Sequence, residues 1–158
     1  MATTATRIRA HSPTGLLAPR PIAGKWRNAA RIGFGGFFLA MATYNATVTL
    51  PNTAETYKNL ADLSWPGFDW LVLHVVQPVG VPFTVLLIAS EVGVAALVLS
   101  KGRRVRLGLL ATLGFMIGLA PFLSWYEVAN VPLAAWALLL LGRDYDRSLL
   151  DMVRRQGR

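Results

Sequence analysis

Glu91 is the residue whose type and position most strongly suggest chemistry. It lies near the middle of residues 79–100, an apolar run with no other charged side chain. An ionised carboxylate is costly inside a lipid-surrounded helix, so such a residue faces the protein interior, a ligand or an ion path. Glu91 therefore predicts one of two roles. The functional role is proton transfer, cation contact or hydrogen bonding to a polar ligand head, and the structural role is a hydrogen bond between helices.

Tyr44 and Asn45 belong to a polar band, with several threonines, near the end of the apolar run 32–50. If the helices lie side by side, Asn45 falls about 6 Å along the bundle axis from Glu91. The band predicts either the mouth of a shared pocket or a set of interhelical hydrogen bonds.

His74 is the remaining candidate ligand. A metal or haem site needs more than one such ligand, and the other histidine, His11, lies in a predicted tail on the opposite side of the membrane. We therefore expect no metal and no covalently attached haem, and His74 is interpreted as a histidine at a wet interface. A bound quinone or lipid near Glu91 is left open.

Small residues predict where helices approach closely. Gly114 and Gly118 form a Gly-x-x-x-Gly pattern, and Ala89, Gly93 and Ala96 follow one side of an earlier run. The partner helix is either in this chain or in another subunit. Glu91 lies about 160° around its helix from Gly93, so we expect the partner of its carboxyl group to come from another subunit or from a ligand.

Composition indicates which class of protein positions these residues. Of 158 residues, 54% are hydrophobic and 15% are charged, with a mean hydropathy of +0.44, whereas a soluble domain carries about 25% charged residues. The sequence contains no cysteine, which excludes disulfides, thiolate metal sites and cysteine nucleophiles. It also contains no phosphate-binding loop, dinucleotide fingerprint or nucleophile–base pair. We therefore expect a membrane protein that is not an enzyme acting alone and does not bind nucleic acid.

The apolar runs predict an all-α integral membrane four-helix bundle. A short interfacial or re-entrant helix over residues 68–77 is expected between the first and second spans, because prolines and a glycine interrupt the chain there. The four predicted spans cover residues 32–50, 79–100, 107–123 and 128–142.

Charge sets the predicted orientation. Residues 1–31 carry six basic and no acidic side chains, residues 101–106 carry four basic ones, and residues 143–158 carry five arginines against three aspartates. All three segments lie in the cytoplasm if the chain crosses a bacterial inner membrane four times. We expect 1–31 to be a disordered tail, with a mitochondrial transit peptide as the alternative, and 143–158 to be an amphipathic tail on the inner surface.

The chain resembles the DoxX-like family of small membrane proteins. The resemblance is carried by the glycine-rich segment 31–36 and by Glu91-Val92-Gly93-Val94-Ala95-Ala96-Leu97-Val98-Leu99 followed by the basic turn 101–106. It covers about residues 31–142, although Tyr44-Asn45 stands where the family often has Gly-x-x-Lys. The resemblance implies a four-helix bundle and, for some members, a membrane subunit beside quinone-linked or other redox enzymes.

Three functions follow as hypotheses. The leading one is a noncatalytic subunit or anchor that packs against other membrane proteins or further copies of itself, a quinone-linked redox complex being one such assembly. The alternative is a small proton-coupled transporter or channel that uses Glu91. A weaker third hypothesis is a membrane enzyme that acts on a lipid or quinone through Glu91 and His74.

Overall fold

The computed structural model describes residues 22–124, 128, 130–142 and 145, and these are helical almost throughout, with no strand among them. Shorter π-helical and 3-10 segments connect the α-helices at two places, Asn45–Asn52 and Val72–Val79. The α-helices are α1 (Ile22–Tyr44), α2 (Thr53–Leu63), α3 (Phe68–Leu71), α4 (Gly80–Leu99), α5 (Arg103–Leu123) and α6 (Val131–Leu141).

Four helices surround a common apolar core. The contact is most extensive between α1 and α4, followed by α4 with α5 and then α5 with α6. The ring closes where Trp136 of α6 packs edge-on against Phe34 of α1, with ring centroids 5.5 Å apart. Phe34, Val98 and Leu109 are fully buried in this core. The core thus joins residues that are far apart in the sequence.

Glycines at two positions allow the helices to approach closely. A Cβ atom on Gly108 of α5 would lie 2.9 Å from the Cβ of Leu97 and 3.1 Å from the backbone nitrogen of Val98. A Cβ atom on Gly35 of α1 would lie 2.7 Å from the side chain of Leu99. Both contacts are made with α4, so a glycine on each side of α4 determines how closely its neighbours pack.

Two π-helical turns have the same cause. In Asn45–Thr49 and Val72–Val76, the N–H of the residue that follows the turn bonds to the carbonyl five residues earlier. The next residue is proline in both cases, Pro51 and Pro78. A proline ring clashes with the carbonyl four residues before it, and widening the preceding turn relieves that clash. The prolines thus explain why both helices open at these points.

The segment between Pro51 and Pro78 folds into a helical hairpin, defined here as Thr53–Val76. Its own small core contains Tyr57, Ala61 and Val72. The tip of the hairpin contacts the end of α5, because the Trp65 N–H donates to the Pro121 carbonyl at 2.9 Å. The last carbonyls of a helix have no partner within the helix. Here the hairpin donates a hydrogen bond to one of them. The short element expected at residues 68–77 is therefore half of this hairpin.

The first predicted boundary is wrong. Helix α1 begins at Ile22 rather than at residue 32, so the expectation of a disordered tail fails for residues 22–31. Arg31 is fully buried, donates to the Ser100 carbonyl at 3.1 Å and lies 4.9 Å from the centroid of the Tyr145 ring. A cation is favourable beside the carbonyls at a helix C-terminus, which explains how α1 can hold this arginine in its packed face.

The other boundaries are closer to the prediction. Helix α4 agrees within one residue at each end with the predicted 79–100, while α5 begins four residues before the predicted start at 107. Helix α6 is shorter than the predicted 128–142 and begins one residue before Pro132, a position that suits proline in the first turn. The expected turn at 125–127 and, apart from Tyr145, the expected tail at 143–158 lie outside the described residues.

Substituting Gly108 with alanine should destabilise the fold, because the new methyl group would lie 2.9 Å from the Leu97 Cβ and 3.1 Å from the Val98 backbone nitrogen, and neither atom is the end of a flexible side chain. Overpacking of this kind costs about 1–3 kcal/mol. Gly114→Ala is the matched control, since a Cβ atom there meets nothing within 4 Å. Unfolding of both variants in mixed detergent micelles tests the difference, and equal stability of the two would contradict the packing described for α4 and α5.

Candidate functional site

Glu91 and Asn45 form a buried contact between α4 and the π-helical turn that follows α1. The Nδ2 atom of Asn45 lies 2.8 Å from Oε1 and 2.9 Å from Oε2 of Glu91. Both residues are less than a tenth exposed. Asn45 of the same chain is therefore one partner of the carboxyl group, whereas the sequence predicted a partner from another subunit or from a ligand.

Thr49 orients the amide of Asn45. Its hydroxyl donates to Asn45 Oδ1 at 2.8 Å, which leaves the Nδ2 group to face Glu91. Asn45 and Thr49 are the first and last residues of the π-helical turn, and both are buried there. The turn opened by Pro51 thus holds a short chain of hydrogen bonds, Thr49 to Asn45 to Glu91. We call these three residues the polar triad.

A cavity of about 360 Å³ lies beside the polar triad. This volume is near the lower end of the range for small-molecule sites. The walls are mostly apolar. The Ser90 hydroxyl donates its hydrogen to the Leu86 carbonyl at 2.8 Å. The lining residues come from α1, α4 and α5: Phe38, Ser90, Glu91, Gly93, Val94, Leu97, Ala111 and Phe115.

The other predicted ligand residues lie elsewhere. Tyr44 is half exposed and does not line the cavity. His74 is in the hairpin, where its ring stacks on Trp70 with centroids 5.0 Å apart and its Nδ1 lies 2.9 Å from the Trp70 carbonyl. The structure thus brings Asn45 and Glu91 together and leaves Tyr44 and His74 apart from them. No cluster of three histidine, aspartate or glutamate side chains occurs within the described ranges.

The small residues predicted to pack helices are not in tight contacts within the described part of the chain. Added Cβ atoms at Gly93, Gly114 and Gly118 would meet nothing within 4 Å, and Ala89 and Ala96 are exposed. The close approaches are made at Gly35 and Gly108 instead. Gly93 differs from Gly114 and Gly118 because its open space belongs to the cavity.

The sequence placed Thr49 in the polar band with Asn45 but did not predict the hydrogen bond between them, and it did not predict the aromatic walls of the cavity. Thr49 follows Asn45 by four residues and precedes the Leu50-Pro51 pair, a spacing that could have indicated a turn opened by proline. Phe38 and Phe115 are apolar residues in apolar runs, and no sequence signal separates a cavity wall from a packed core at such positions.

A second buried polar contact fastens the hairpin to α4. The hydroxyl groups of Tyr57 and Thr84 lie 2.7 Å apart. Thr84 donates to the Gly80 carbonyl at 2.8 Å, so Tyr57 is the donor. Burial raises the pKa of the Tyr57 phenol. The phenol therefore keeps the proton that this contact needs, and we assign it a structural role.

Comparison with known proteins gave no family model, no curated protein and no solved structure that matches this chain.

A double-mutant cycle of Asn45→Ala and Glu91→Ala should show a coupling free energy of about 1–3 kcal/mol, because each residue supplies the other's buried partner. Thr47→Ala is the control, since Thr47 is exposed and bonds to the carbonyl of Thr43. Unfolding free energies in mixed micelles give the coupling. Additive single effects would show that the Asn45–Glu91 contact does not stabilise the protein.

Proposed function

We propose that this chain is a four-span integral membrane protein of the bacterial inner membrane that acts as a noncatalytic subunit or anchor. One observation carries the proposal: α5 presents an outward apolar face that contains Gly114 and Gly118, with open space above both glycines. Glycines in this arrangement allow another membrane helix to approach closely.

The outer surface of the bundle supports a location in the membrane. Two helical stretches, Phe68–Leu99 and Arg103–Leu123, are long and apolar enough to cross a bilayer, and the proposal takes α1 and α6 as the other two spans. Large apolar side chains are exposed on the outside of the bundle, as expected for helices that face lipid. Among the most exposed are Leu86, Leu107, Ile117, Leu138 and Leu139.

Charged side chains support the orientation. The exposed acidic residues of the hairpin, Glu55, Asp62 and Asp69, lie at the N-terminal end of α4. The exposed bases that follow α4, in the turn and in the first residues of α5, lie at the C-terminal end of α4. A 20-residue helix separates the two ends by about 30 Å. Positive charge is retained on the cytoplasmic side, so the proposal places this turn and both chain termini in the cytoplasm. The bases are Lys101, Arg103, Arg104 and Arg106.

The surface proposed to contact a partner is the outward face of α5, which we call the α5 face. Its members recur at helical spacing and all are exposed. A face built from two glycines between large apolar side chains fits a second transmembrane helix better than it fits disordered lipid tails, because van der Waals packing drives association in the bilayer. The α5 face consists of Leu107, Leu110, Gly114, Ile117 and Gly118.

The DoxX-like resemblance supports the same class of function. It is the reason to propose a quinone-linked or other redox enzyme as the assembly that the subunit joins. The transporter alternative has less support. Proton relays use chains of ionisable side chains, whereas within the described residues the polar triad contains one ionisable group, and its other members are an amide and a hydroxyl.

The proposed topology predicts opposite labelling of two exposed positions. The chain has no native cysteine, so single cysteines at Asn59 and Gly102 can be labelled without background. A membrane-impermeant maleimide added to intact spheroplasts should modify the cysteine at position 59 and spare the one at position 102 until the membrane is opened. Labelling of both from outside would contradict the four-span arrangement.

The proposed subunit role predicts that bulk on the α5 face removes a partner. The Gly118→Ile variant should fold, since its side chain enters open space, but it should lose the proteins that accompany the natural chain at native expression. Ala135→Ile, at an exposed position of α6, is the control. Native mass spectrometry from mild detergent measures both. A natural chain that runs alone as a monomer would refute the proposal.

A further inference from the structure

We propose that the cavity beside Glu91 binds an apolar molecule that carries a carbonyl oxygen, and that this oxygen accepts a hydrogen bond from the Glu91 carboxyl group. The inference rests on the membrane location in the proposed function but not on the existence of a partner subunit. Three properties of the site carry it: the incomplete set of hydrogen-bond partners of Glu91, the orientation of the Asn45 amide, and the shape of the cavity.

The first property is an incomplete set of partners. Within the described residues Glu91 receives hydrogen bonds from Asn45 alone, and Asn45 is a neutral amide. One neutral donor is poor compensation for a buried carboxylate, and the surroundings are hydrocarbon on the proposed function. The side chain is therefore expected to be the neutral acid. A neutral carboxyl group has an O–H to donate as well as oxygens that accept.

The second property is the orientation of the Asn45 amide. Its Nδ2 group, a donor, lies 2.8 and 2.9 Å from the two carboxyl oxygens of Glu91, whereas its acceptor Oδ1 receives the Thr49 hydroxyl at 2.8 Å. The amide is therefore a donor to Glu91, and the hydrogen of the neutral carboxyl group needs an acceptor other than Asn45. Glu91 also lines the cavity, so a molecule bound there is the acceptor that would complete the set.

The third property is the shape and lining of the cavity. About 360 Å³ is enough for one ring or a segment of acyl chain. Phe38 from α1 and Phe115 from α5 provide aromatic walls, and Gly93 leaves room between them. Apolar walls with one convergent polar group suit an apolar body that carries a single acceptor. A bound metal cation would need several oxygen ligands, whereas among the lining side chains Glu91 and Ser90 alone carry oxygen.

Two kinds of membrane molecule have this chemistry. A glycerolipid presents ester carbonyls at the start of its acyl chains, and an isoprenoid quinone presents ring carbonyls at the start of its tail. Glu91 recognises the shared carbonyl in either case. The experiment below distinguishes the two sources.

The test uses the full chain, purified and delipidated in dodecyl maltoside, a detergent without a carbonyl group. Three probes are added: decylubiquinone, methyl decanoate and decane, the last of which has the hydrocarbon but no acceptor. Binding is measured as the concentration-dependent rise in the thermal midpoint, from which relative affinities follow. At least one carbonyl probe should bind about fivefold or more tightly than decane, the value of one hydrogen bond near 1 kcal/mol.

Three variants assign the binding to this site. Glu91→Leu should reduce the affinity of the carbonyl probe to that of decane, while Glu91→Gln keeps an N–H donor and should retain most of it. Gly93→Leu fills the cavity from a position where an added Cβ meets nothing within 4 Å, so it should remove binding of every probe while the protein stays folded. Gly36→Leu, at an equally open position outside both the cavity and the α5 face, is its control and should bind normally.

The outcomes separate clearly. Tighter binding of decylubiquinone assigns the site to quinones, and tighter binding of methyl decanoate assigns it to lipid esters. The proposal is overturned if decane binds as well as both carbonyl probes, if no probe binds, or if Gly93→Leu leaves binding unchanged. A natural chain that binds a carbonyl probe yet purifies alone would refute the subunit function and leave this inference standing.

Discussion

The structure depends on how a carboxyl group is accommodated in an apolar helix. Glu91 sits on a 20-residue α4 that carries no other charge, and burial without a partner would cost several kcal/mol. The Asn45 amide supplies that partner at 2.8 Å, which requires the end of α1 to lie against the middle of α4. The extensive packing of α1 on α4 and the close approach at Gly35 meet this requirement. The position of the polar triad is thus inseparable from the way the first and fourth helices meet.

The bundle is fastened at both ends and has its cavity between them. At one end, buried Arg31 reaches the Ser100 carbonyl and the Tyr145 ring. At the other end, the hairpin is joined to α4 through Tyr57 and Thr84 and to α5 through Trp65. Between these anchors, Gly93 supplies no side chain and the walls draw apart. The cavity therefore lies between two sets of contacts that join separate helices.

Much of the helix arrangement could be predicted from the sequence, because apolar length and proline position leave few choices. The α4 boundaries agree within a residue, and Pro51 and Pro78 mark real breaks. The start of α1 could not be predicted, because Arg31 is the last of six bases in a segment without acids and the carbonyl that accepts from it belongs to a helix C-terminus distant in the sequence. The small residues predicted to pack helices are not in tight contacts within the described chain, since sequence shows where a helix could approach and not whether one does.

The candidate site, too, could be predicted only in part from the sequence. Glu91 and Asn45 could be singled out by residue type, and their pairing could not, because the rotation of α1 about its axis is set by packing and by the widened turn at Asn45–Thr49. That turn has a further consequence. A π-helical turn holds about one residue more than an α-helical turn, so it offsets the side-chain phase of everything beyond it by about 100°. Removing one residue between Tyr44 and Pro51 would shorten the chain very little, yet it would turn the hairpin's anchoring side chains away from α4. The length of this short stretch is therefore under stricter constraint than the identity of most residues in it.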